Sequence, residues 1–167
     1  MKGFVRLRRG AMLLLGVLVI LSLVLNGCDT AKVIKIGFLG QMTGSGSYVG
    51  QTAETSVKDR IEEINNAGGI NGYKIQLITY DTRSEVPDAV AAAKRFMDQD
   101  KVDAIIGPEW SAAAIPIAEI ADASKTPTIG TTASNINVTV NEAGVVHPYM
   151  FRVCFIDPYQ GTAIADF

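Results

Sequence analysis

The chain has 167 residues, of which 48% are hydrophobic and two are cysteine. This composition is typical of a folded globular protein and excludes disorder, a collagen and a disulfide-stapled miniprotein. From residue 28 onward 11 basic residues face 17 acidic ones. The resulting net charge of −6 argues against nucleic acid as a partner, because phosphates require a concentrated basic face.

The amino terminus is predicted to be an export signal that spans residues 1–27. A cationic segment, Met1 to Arg9, precedes a 15-residue apolar run from Ala11 to Leu25. This run is short for a membrane span, which needs about 20 apolar residues, and it suits a signal peptide. Leu25-Asn26-Gly27 and the following Cys28 resemble the lipobox of bacterial lipoproteins, in which the cysteine carries diacylglycerol. We therefore predict a lipid anchor at Cys28, with ordinary cleavage and a free thiol as the alternative.

The first unit of the body is a strand, a glycine-rich loop and a helix. The β-branched run from Val33 to Leu39 predicts the strand. Apolar residues then recur on one face of a helix, at positions 53, 57, 61 and 64. Ala67-Gly68-Gly69 ends this helix because glycine supplies a left-handed cap. Asn71-Gly72 then turns the chain into a second strand, Tyr73 to Tyr80.

Two further helices and strands follow in alternation. Pro87 suits the first turn of the second helix, and Val102 to Ile106 is a third strand too apolar to be half exposed. Ser111 is placed to cap a third helix that runs to Ser124, although Pro116 inside it costs one backbone hydrogen bond. Thr126 to Gly130 is predicted to be a fourth strand.

Strands separated by helices imply parallel pairing through right-handed crossovers, so the predicted fold is an α/β doubly wound parallel sheet. Ligands of such sheets bind beyond the carboxyl ends of the strands, near a topological switch point. Those ends fall at residues 40–48, 81–86, 107–111 and 130–135. The chain stops a few residues into what looks like a new helix, so we expect a fragment of a longer protein.

The residues offer little catalytic chemistry. His147 is the only histidine in the sequence, which excludes a histidine-based metal cluster and leaves a Ser-His-Asp triad dependent on one loop residue. Asp98, Asp100 and Asp103 lack the glycine and terminal glutamate of a calcium loop, and we interpret them as solvated charges. The sequence therefore predicts no metal, no cofactor and no enzymatic activity.

A glycine loop, Gly44 to Gly50, has the outline of a dinucleotide site. It follows a strand, opens a helix and is succeeded by a strand that ends in Asp81. Three residues separate its second and third glycines where the motif has two, and Asp81 lies 31 positions after Gly50 instead of about 20. An exported NAD-dependent enzyme is therefore the weaker alternative.

A binding function is better supported by the helix and loop that follow the last strands. Ser111 stands at the start of the third helix, where unpaired N–H groups and the positive end of the dipole favour an anion. Thr131 to Asn135 places hydroxyl and N–H groups at the same edge of the sheet. Together they could hold the carboxylate of a small molecule without a formal positive charge. The alternatives are plain capping by Ser111 and a hydroxyl-rich turn.

Five segments carry a resemblance to a known family. They are Ile34 to Gly40 (IKIGFLG), Ile64 to Ile75 (INNAGGINGYKI), Tyr80-Asp81, Asp100 to Pro108 (DKVDAIIGP) and Phe151 to Phe155 (FRVCF). In this order they resemble the branched-chain amino-acid binding proteins of ABC transporters, which are type I periplasmic binding proteins of the leucine-binding family. The likeness implies two α/β lobes joined by three crossings, with a ligand trapped between them. Residues 28–150 would form the N-terminal lobe, and residues 151–167 the first crossing and the start of the second lobe.

The resemblance also implies the residues of a ligand site. Ser111 matches the serine that binds the ligand carboxylate, and the loop after the fourth strand matches the one that completes this hold. Tyr48 falls near an aromatic residue that flanks the ligand side chain, and Trp110 either walls the pocket or packs on the lobe. The predicted ligand contacts are thus Tyr48, Trp110, Ser111, Thr132, Ala133 and Ser134.

The implied partners are an amino-acid-like ligand, an ABC permease and, through Cys28, the membrane. The protein would work outside the cytoplasm, in the periplasm or on the outer face of the cytoplasmic membrane. A sensing receptor module of the same fold is the alternative, because fold-level likeness does not separate the two. Arg152 is interpreted as a residue of a hinge ion pair, and Cys154 as a buried apolar thiol.

Overall fold

The computed structural model describes residues 33–167, in which strands and helices alternate. The strands are β1 Val33–Gly40, β2 Lys74–Asp81, β3 Ala104–Ile106, β4 Thr128–Gly130 and β5 Met150–Arg152. The helices are α1 Ser47–Asn66, α2 Val86–Arg95, α3 Ser111–Ser124 and α4 Asp157–Ala165, with a π-helical turn at Phe96–Asp100 and a 3₁₀ turn at Ile136–Val138. Among residues 33–167 no helix has the length and apolar character needed to cross a bilayer. The predicted signal segment and Cys28 lie outside the described residues.

The five strands form one parallel sheet in the order β2-β1-β3-β4-β5. Phe38 of β1 lies opposite Ile106 of β3, and Ile129 of β4 lies opposite Phe151 of β5. Because all the strands run the same way, their carboxyl ends meet at one edge of the sheet. The α/β doubly wound parallel sheet predicted from the alternation is confirmed.

The switch point of the sheet lies between β1 and β3. The chain leaves β1 toward β2 on one side and leaves β3 toward β4 on the other, so the loops that follow β1 and β3 diverge. A crevice forms where such loops separate, and it is the usual ligand position in a doubly wound sheet. Gln41 begins the loop after β1, and Gly107 begins the loop after β3.

An apolar core packs the helices against the sheet. Its largest fully buried side chains include Phe38, Leu39, Phe96, Ile105 and Ile117. β1 is paired on both sides, which explains its almost continuous apolar sequence. Pro87 lies in the first turn of α2 as predicted, and Lys94 and Arg95 in its last turn favour the negative end of the dipole.

β3 and β4 each begin two residues later than the sequence predicted. The N–H of Val102 donates to the Phe96 carbonyl, and the N–H of Thr126 donates to the Ala121 carbonyl. Both residues therefore complete the helical segment that precedes them instead of extending the strand. The side chains alone did not show whether these N–H groups would end a helix or pair within a strand.

The chain from Phe151 in β5 to the end of the described residues is largely exposed. Phe151, Val153 and Phe155 are each at least 49% exposed, and α4 contains no buried residue. Cys154 lies in this segment and is half-buried, so the prediction of a buried thiol is wrong. The reason is its position just after the last strand, where no described element covers it.

Candidate ligand-binding site

The amino end of α3 has no side-chain cap. Ser111 is the first residue of the helix, and Trp110 occupies the N-cap position without a side-chain hydrogen bond. The prediction that Ser111 caps the helix is therefore wrong: its hydroxyl accepts the N–H of Asn135 at 3.1 Å, which holds the loop after β4 against α3. The helix continues through Pro116. The N–H groups of Ala113 and Ala114 donate to the Trp110 carbonyl, so those of Ser111 and Ala112 are the ones left to bind an anion, which the helix dipole also favours.

A second hydrogen bond joins the same two loops. The Thr132 hydroxyl donates to the main-chain carbonyl of Glu109. The Ser111 side chain, at the start of α3, thus bonds to the backbone of the loop after β4. The Thr132 side chain, in that loop, bonds to the backbone just before α3. These two predicted ligand contacts are brought to one place at the carboxyl edge of the sheet.

Arg152, at the end of β5, fixes the loop that contains Ala133 and Ser134. Ala133 is fully buried and Ser134 is half-buried. The guanidinium donates four hydrogen bonds of 2.6–3.2 Å, to the carbonyls of Ala133, Asn135 and Ile136 and to the hydroxyl of Thr139. The predicted ion pair is not found within residues 33–167, because carbonyl dipoles and one hydroxyl take its place.

The two predicted aromatic contacts differ in their surroundings. Tyr48 lies in the first turn of α1 and is 83% exposed. Trp110 is half-buried and packs against the core cluster that contains Leu39 and Ile117. One part of the Trp110 side chain therefore serves the packing of the lobe, and the other part is accessible to solvent.

Asp81, the last residue of β2, organises the loop between β1 and α1. Its carboxylate accepts the N–H groups of Met42, Thr43 and Arg83 and the hydroxyl of Thr43 at 2.6–3.1 Å. Burial raises the pKa of Asp81, but these hydrogen bonds outweigh it and hold the pKa below its ordinary value. Both carboxylate oxygens accept hydrogen bonds from the protein itself. Asp81 is therefore not placed to bind the ribose of a dinucleotide.

Replacing Asp81 with asparagine is expected to lower stability at neutral pH by about 1 kcal/mol. Since the folded-state pKa lies below the unfolded one, the carboxylate stabilises fully above its ordinary pKa, and this stabilisation is lost as the pH falls toward the folded value. Urea midpoints measured between about pH 7 and about pH 3 should therefore change less in the variant. Asp59→Asn, at an exposed position of α1, is the matched control. If the urea midpoints of wild type and Asp81→Asn fell equally between these pH values, the Asp81 carboxylate would not be the group that stabilises the loop.

The glycines of the loop after β1 serve close packing on Gln41. A Cβ at Gly46 would stand 1.9 Å from Gln41 Oε1, and a Cβ at Gly50 would stand 2.5 Å from the Gln41 carbonyl oxygen. A side chain at Gly50 would meet the Gln41 main chain and require a shift of the loop, whereas a side chain at Gly46 would have to displace only the end of the Gln41 side chain. The loop that suggested a phosphate cradle is thus explained by contacts within the protein.

Glu109 is a buried acid that the sequence analysis did not single out. It is 2% exposed, and neither of its carboxyl oxygens has a hydrogen-bond partner within residues 33–167. Burial raises the pKa of Glu109, and the N–H groups of Glu109 itself and of Gln41 oppose part of this rise. An acid three residues after an apolar strand, between Pro108 and Trp110, is the signal that could have revealed it.

The other titratable candidates have structural partners. His147 is buried, with its Nδ1 2.6 Å from Asp122 Oδ2. Two of the acids interpreted as solvated charges are bound instead: Asp100 accepts the Tyr80 hydroxyl, and Asp103 accepts the N–H of Lys35. In the described part of the chain no three His, Cys, Asp or Glu residues are grouped so that they could hold a metal ion.

A doubly wound sheet with polar loops at its carboxyl edge has the architecture of a small-molecule binding lobe. The sequence pattern of the periplasmic binding protein family matches residues 33–167, and the chain belongs to this family. The resemblance found in the sequence is confirmed. The family comprises solute-binding proteins and not enzymes, so the dinucleotide-dependent enzyme is rejected.

Two relatives illustrate the family. An amino-acid binding protein of Pseudomonas aeruginosa is 37% identical over 134 residues, which are 80% of this chain and 35% of the relative. A leucine-, isoleucine-, valine-, threonine- and alanine-binding protein of the same organism is 28% identical over 137 residues, which are 82% of this chain and 35% of the relative. The chain thus spans about a third of the length of these relatives.

Two solved structures share the fold. A branched-chain amino-acid transporter substrate-binding protein from Streptococcus pneumoniae, crystallised with isoleucine, matches with a TM-score of 0.73 and 31% identity over 81% of this chain and 37% of its own. A leucine-binding protein from Thermotoga maritima matches with a TM-score of 0.67 and 37% identity over 80% of this chain and 36% of its own.

Proposed function

We propose that this chain forms the first ligand-binding lobe of an exported protein that captures an amino acid of the branched-chain class for an ABC importer. One observation carries the proposal. The uncapped amino end of α3 lies at the switch-point edge of the sheet, with Ser111 and Thr132 linking the loops around it. This arrangement suits the carboxylate that all amino acids share.

The site would bind the carboxylate through uncharged donors. The N–H groups of Ser111 and Ala112, the Ser111 hydroxyl and the main-chain N–H groups of the Thr132-to-Ser134 loop would donate to the carboxylate oxygens, since the Thr132 hydroxyl already donates to Glu109. Hydrogen bonds to an ionised acceptor are roughly twice as strong as neutral ones, and the helix dipole adds to them. Arg152 would support the loop from behind without contributing charge to the ligand.

The choice of amino acid rests on the relatives. The Streptococcus pneumoniae protein was crystallised with isoleucine, and the names of other relatives include leucine, isoleucine and valine. We extend this class to the present chain as part of the proposal. Residues 28–150 would be the N-terminal lobe, and residues 151–167 would lead into a second lobe that closes over the ligand.

A thermal-shift screen tests the proposal on the protein from the full reading frame without residues 1–28. Leucine, isoleucine and valine are the expected ligands, with simple amides, urea and NAD as comparisons. A ligand at 100 times its dissociation constant should stabilise the folded protein by about 2.7 kcal/mol and raise the midpoint visibly. A shift with NAD alone, or with none of the amino acids, would reject the proposal.

Membrane attachment is a separate part of the proposal and depends on Cys28. Replacing Cys28 with serine should move the protein from the membrane fraction to the soluble exported fraction, because serine has no thiol to accept diacylglycerol. Cys154→Ser, which removes the other cysteine of the sequence, should leave the protein in the membrane fraction. Membrane retention of Cys28→Ser would rule out the lipid anchor.

A further inference from the structure

A cavity lies between α3 and the chain that joins β4 to β5. Its volume is about 340 Å³, which falls in the range of small-molecule pockets. None of the predicted ligand contacts lines it, so it is separate from the proposed amino-acid site. The residues that line it are Ile115 and Glu119 of α3, together with Asn137, Asn141, Glu142, Ala143 and His147.

His147 brings a hydrogen-bond acceptor to this cavity. The residue is 8% exposed, and its Nδ1 lies 2.6 Å from Asp122 Oδ2. Because a carboxylate only accepts hydrogen bonds, Nδ1 carries the proton and Nε2 of the neutral ring keeps its lone pair. Nε2 has no partner within residues 33–167, and it is not among the polar atoms sealed from solvent there. The accessible part of this otherwise buried ring therefore opens on the cavity.

The charged groups at the cavity are acidic. Glu119 and Glu142 take part in none of the ion pairs of residues 33–167, and neither lysine nor arginine lines the wall. The side-chain oxygen of Asn141 accepts the N–H groups of Ala143 and Val145, which fixes the turn that carries Glu142. Two carboxylates without a compensating cation create a local field that attracts positive charge.

We propose that this cavity binds a small organic cation with an ammonium group. An ammonium has three donors and no acceptor, which complements two carboxylates and the lone pair of His147 Nε2. Hydrogen bonds between ionised partners are also stronger than neutral ones. A metal ion fits less well, because no three His, Cys, Asp or Glu residues of the described chain are grouped to hold one. The cavity is thus a second site on the lobe, and it does not depend on the proposed function.

Isothermal titration of the complete protein with putrescine tests the proposal. The uncharged comparison is butanediol with a hydroxyl at each end, which has the same carbon chain. Putrescine has no carboxylate, so it lacks the group that the amino end of α3 would bind. Wild type should bind putrescine and not butanediol. Changing Glu119 and Glu142 together to glutamine should weaken putrescine binding about tenfold, because it removes both charges and keeps the shape of the side chains.

The matched control changes Asp59 to asparagine and Glu62 to glutamine. It removes the same total charge from exposed positions of α1, outside the cavity, and should bind putrescine with wild-type affinity. Should the double variant of the cavity not fold, Glu119→Gln and Glu142→Gln are measured singly, each with an expected loss of about threefold.

Four results would overturn the proposal. Wild type that does not bind putrescine would remove the site, and equal binding of butanediol would show that the charge is not recognised. Unchanged affinity in the cavity variants would place putrescine elsewhere on the protein. An equal loss in the control variant would show a response to net charge alone. None of these results bears on the amino-acid site, which the thermal-shift screen tests separately.

Discussion

Ser111→Ala is expected to weaken ligand binding by roughly 1–3 kcal/mol, or about 5-fold to 150-fold. The variant removes the hydroxyl that we propose as a donor to the ligand carboxylate. It also removes the acceptor of the Asn135 N–H, so the loop after β4 loses a tie to α3. Isothermal titration of the complete protein, with the amino acid that gives the largest thermal shift, measures the loss.

The matched control is Ser56→Ala. Ser56 lies on the exposed surface of α1, where its hydroxyl bonds only to the Thr52 carbonyl within the same helix. This variant makes the same chemical change and should leave ligand affinity at the wild-type value. If Ser111→Ala also bound its ligand with wild-type affinity, Ser111 would be a structural link between two loops and not a ligand contact.

Arg152→Met is expected to destabilise the protein by about 2–4 kcal/mol. The reason is the number of groups that depend on one guanidinium: three carbonyls and a hydroxyl between residues 133 and 139 lose their donor at once. Because Ala133 carries part of the proposed carboxylate site, ligand affinity should fall as well. Urea unfolding of the complete protein measures the stability.

Two further variants show whether a loss of stability in Arg152→Met comes from its hydrogen bonds to the loop. Arg60→Met removes an arginine from the exposed surface of α1, where it pairs with Glu63, and should change stability by less than about 0.5 kcal/mol. Arg152→Lys keeps the charge but not the planar fork, so it should recover only part of the loss. Equal stability of Arg152→Met and Arg60→Met would show that the loop is held by other contacts.

The fold was predictable because its signals are local. The apolar run of β1, the helical spacing on α1 and the turn at Asn71-Gly72 each occupy a few adjacent residues. Alternation of such units determines parallel pairing with little further information. The starts of β3 and β4 were predicted two residues too early, since Val102 and Thr126 have β-branched side chains but use their N–H groups to finish helices.

The site was only partly predictable, because its important contacts are distant in sequence. Asp81 bonds to Met42 across 39 positions, and Arg152 bonds to Ala133 across 19. No spacing rule connects such pairs, so Asp81 suggested a dinucleotide site and Arg152 an ion pair. Ser111 shows the same limit: its place at a helix start was predicted correctly, but its hydroxyl serves the Asn135 backbone.

The packing of Gly46 and Gly50 on Gln41 also limits how this part of the protein can diverge. A substitution at Gly50 would push against the Gln41 main chain and displace the turn, whereas one at Gly46 would displace only the end of the Gln41 side chain. The residues between them, Ser47, Tyr48 and Val49, face no such restriction, and Tyr48 and Val49 are exposed. Sequence variation in this turn is therefore accommodated most easily at the exposed positions Tyr48 and Val49, just ahead of the constrained Gly50.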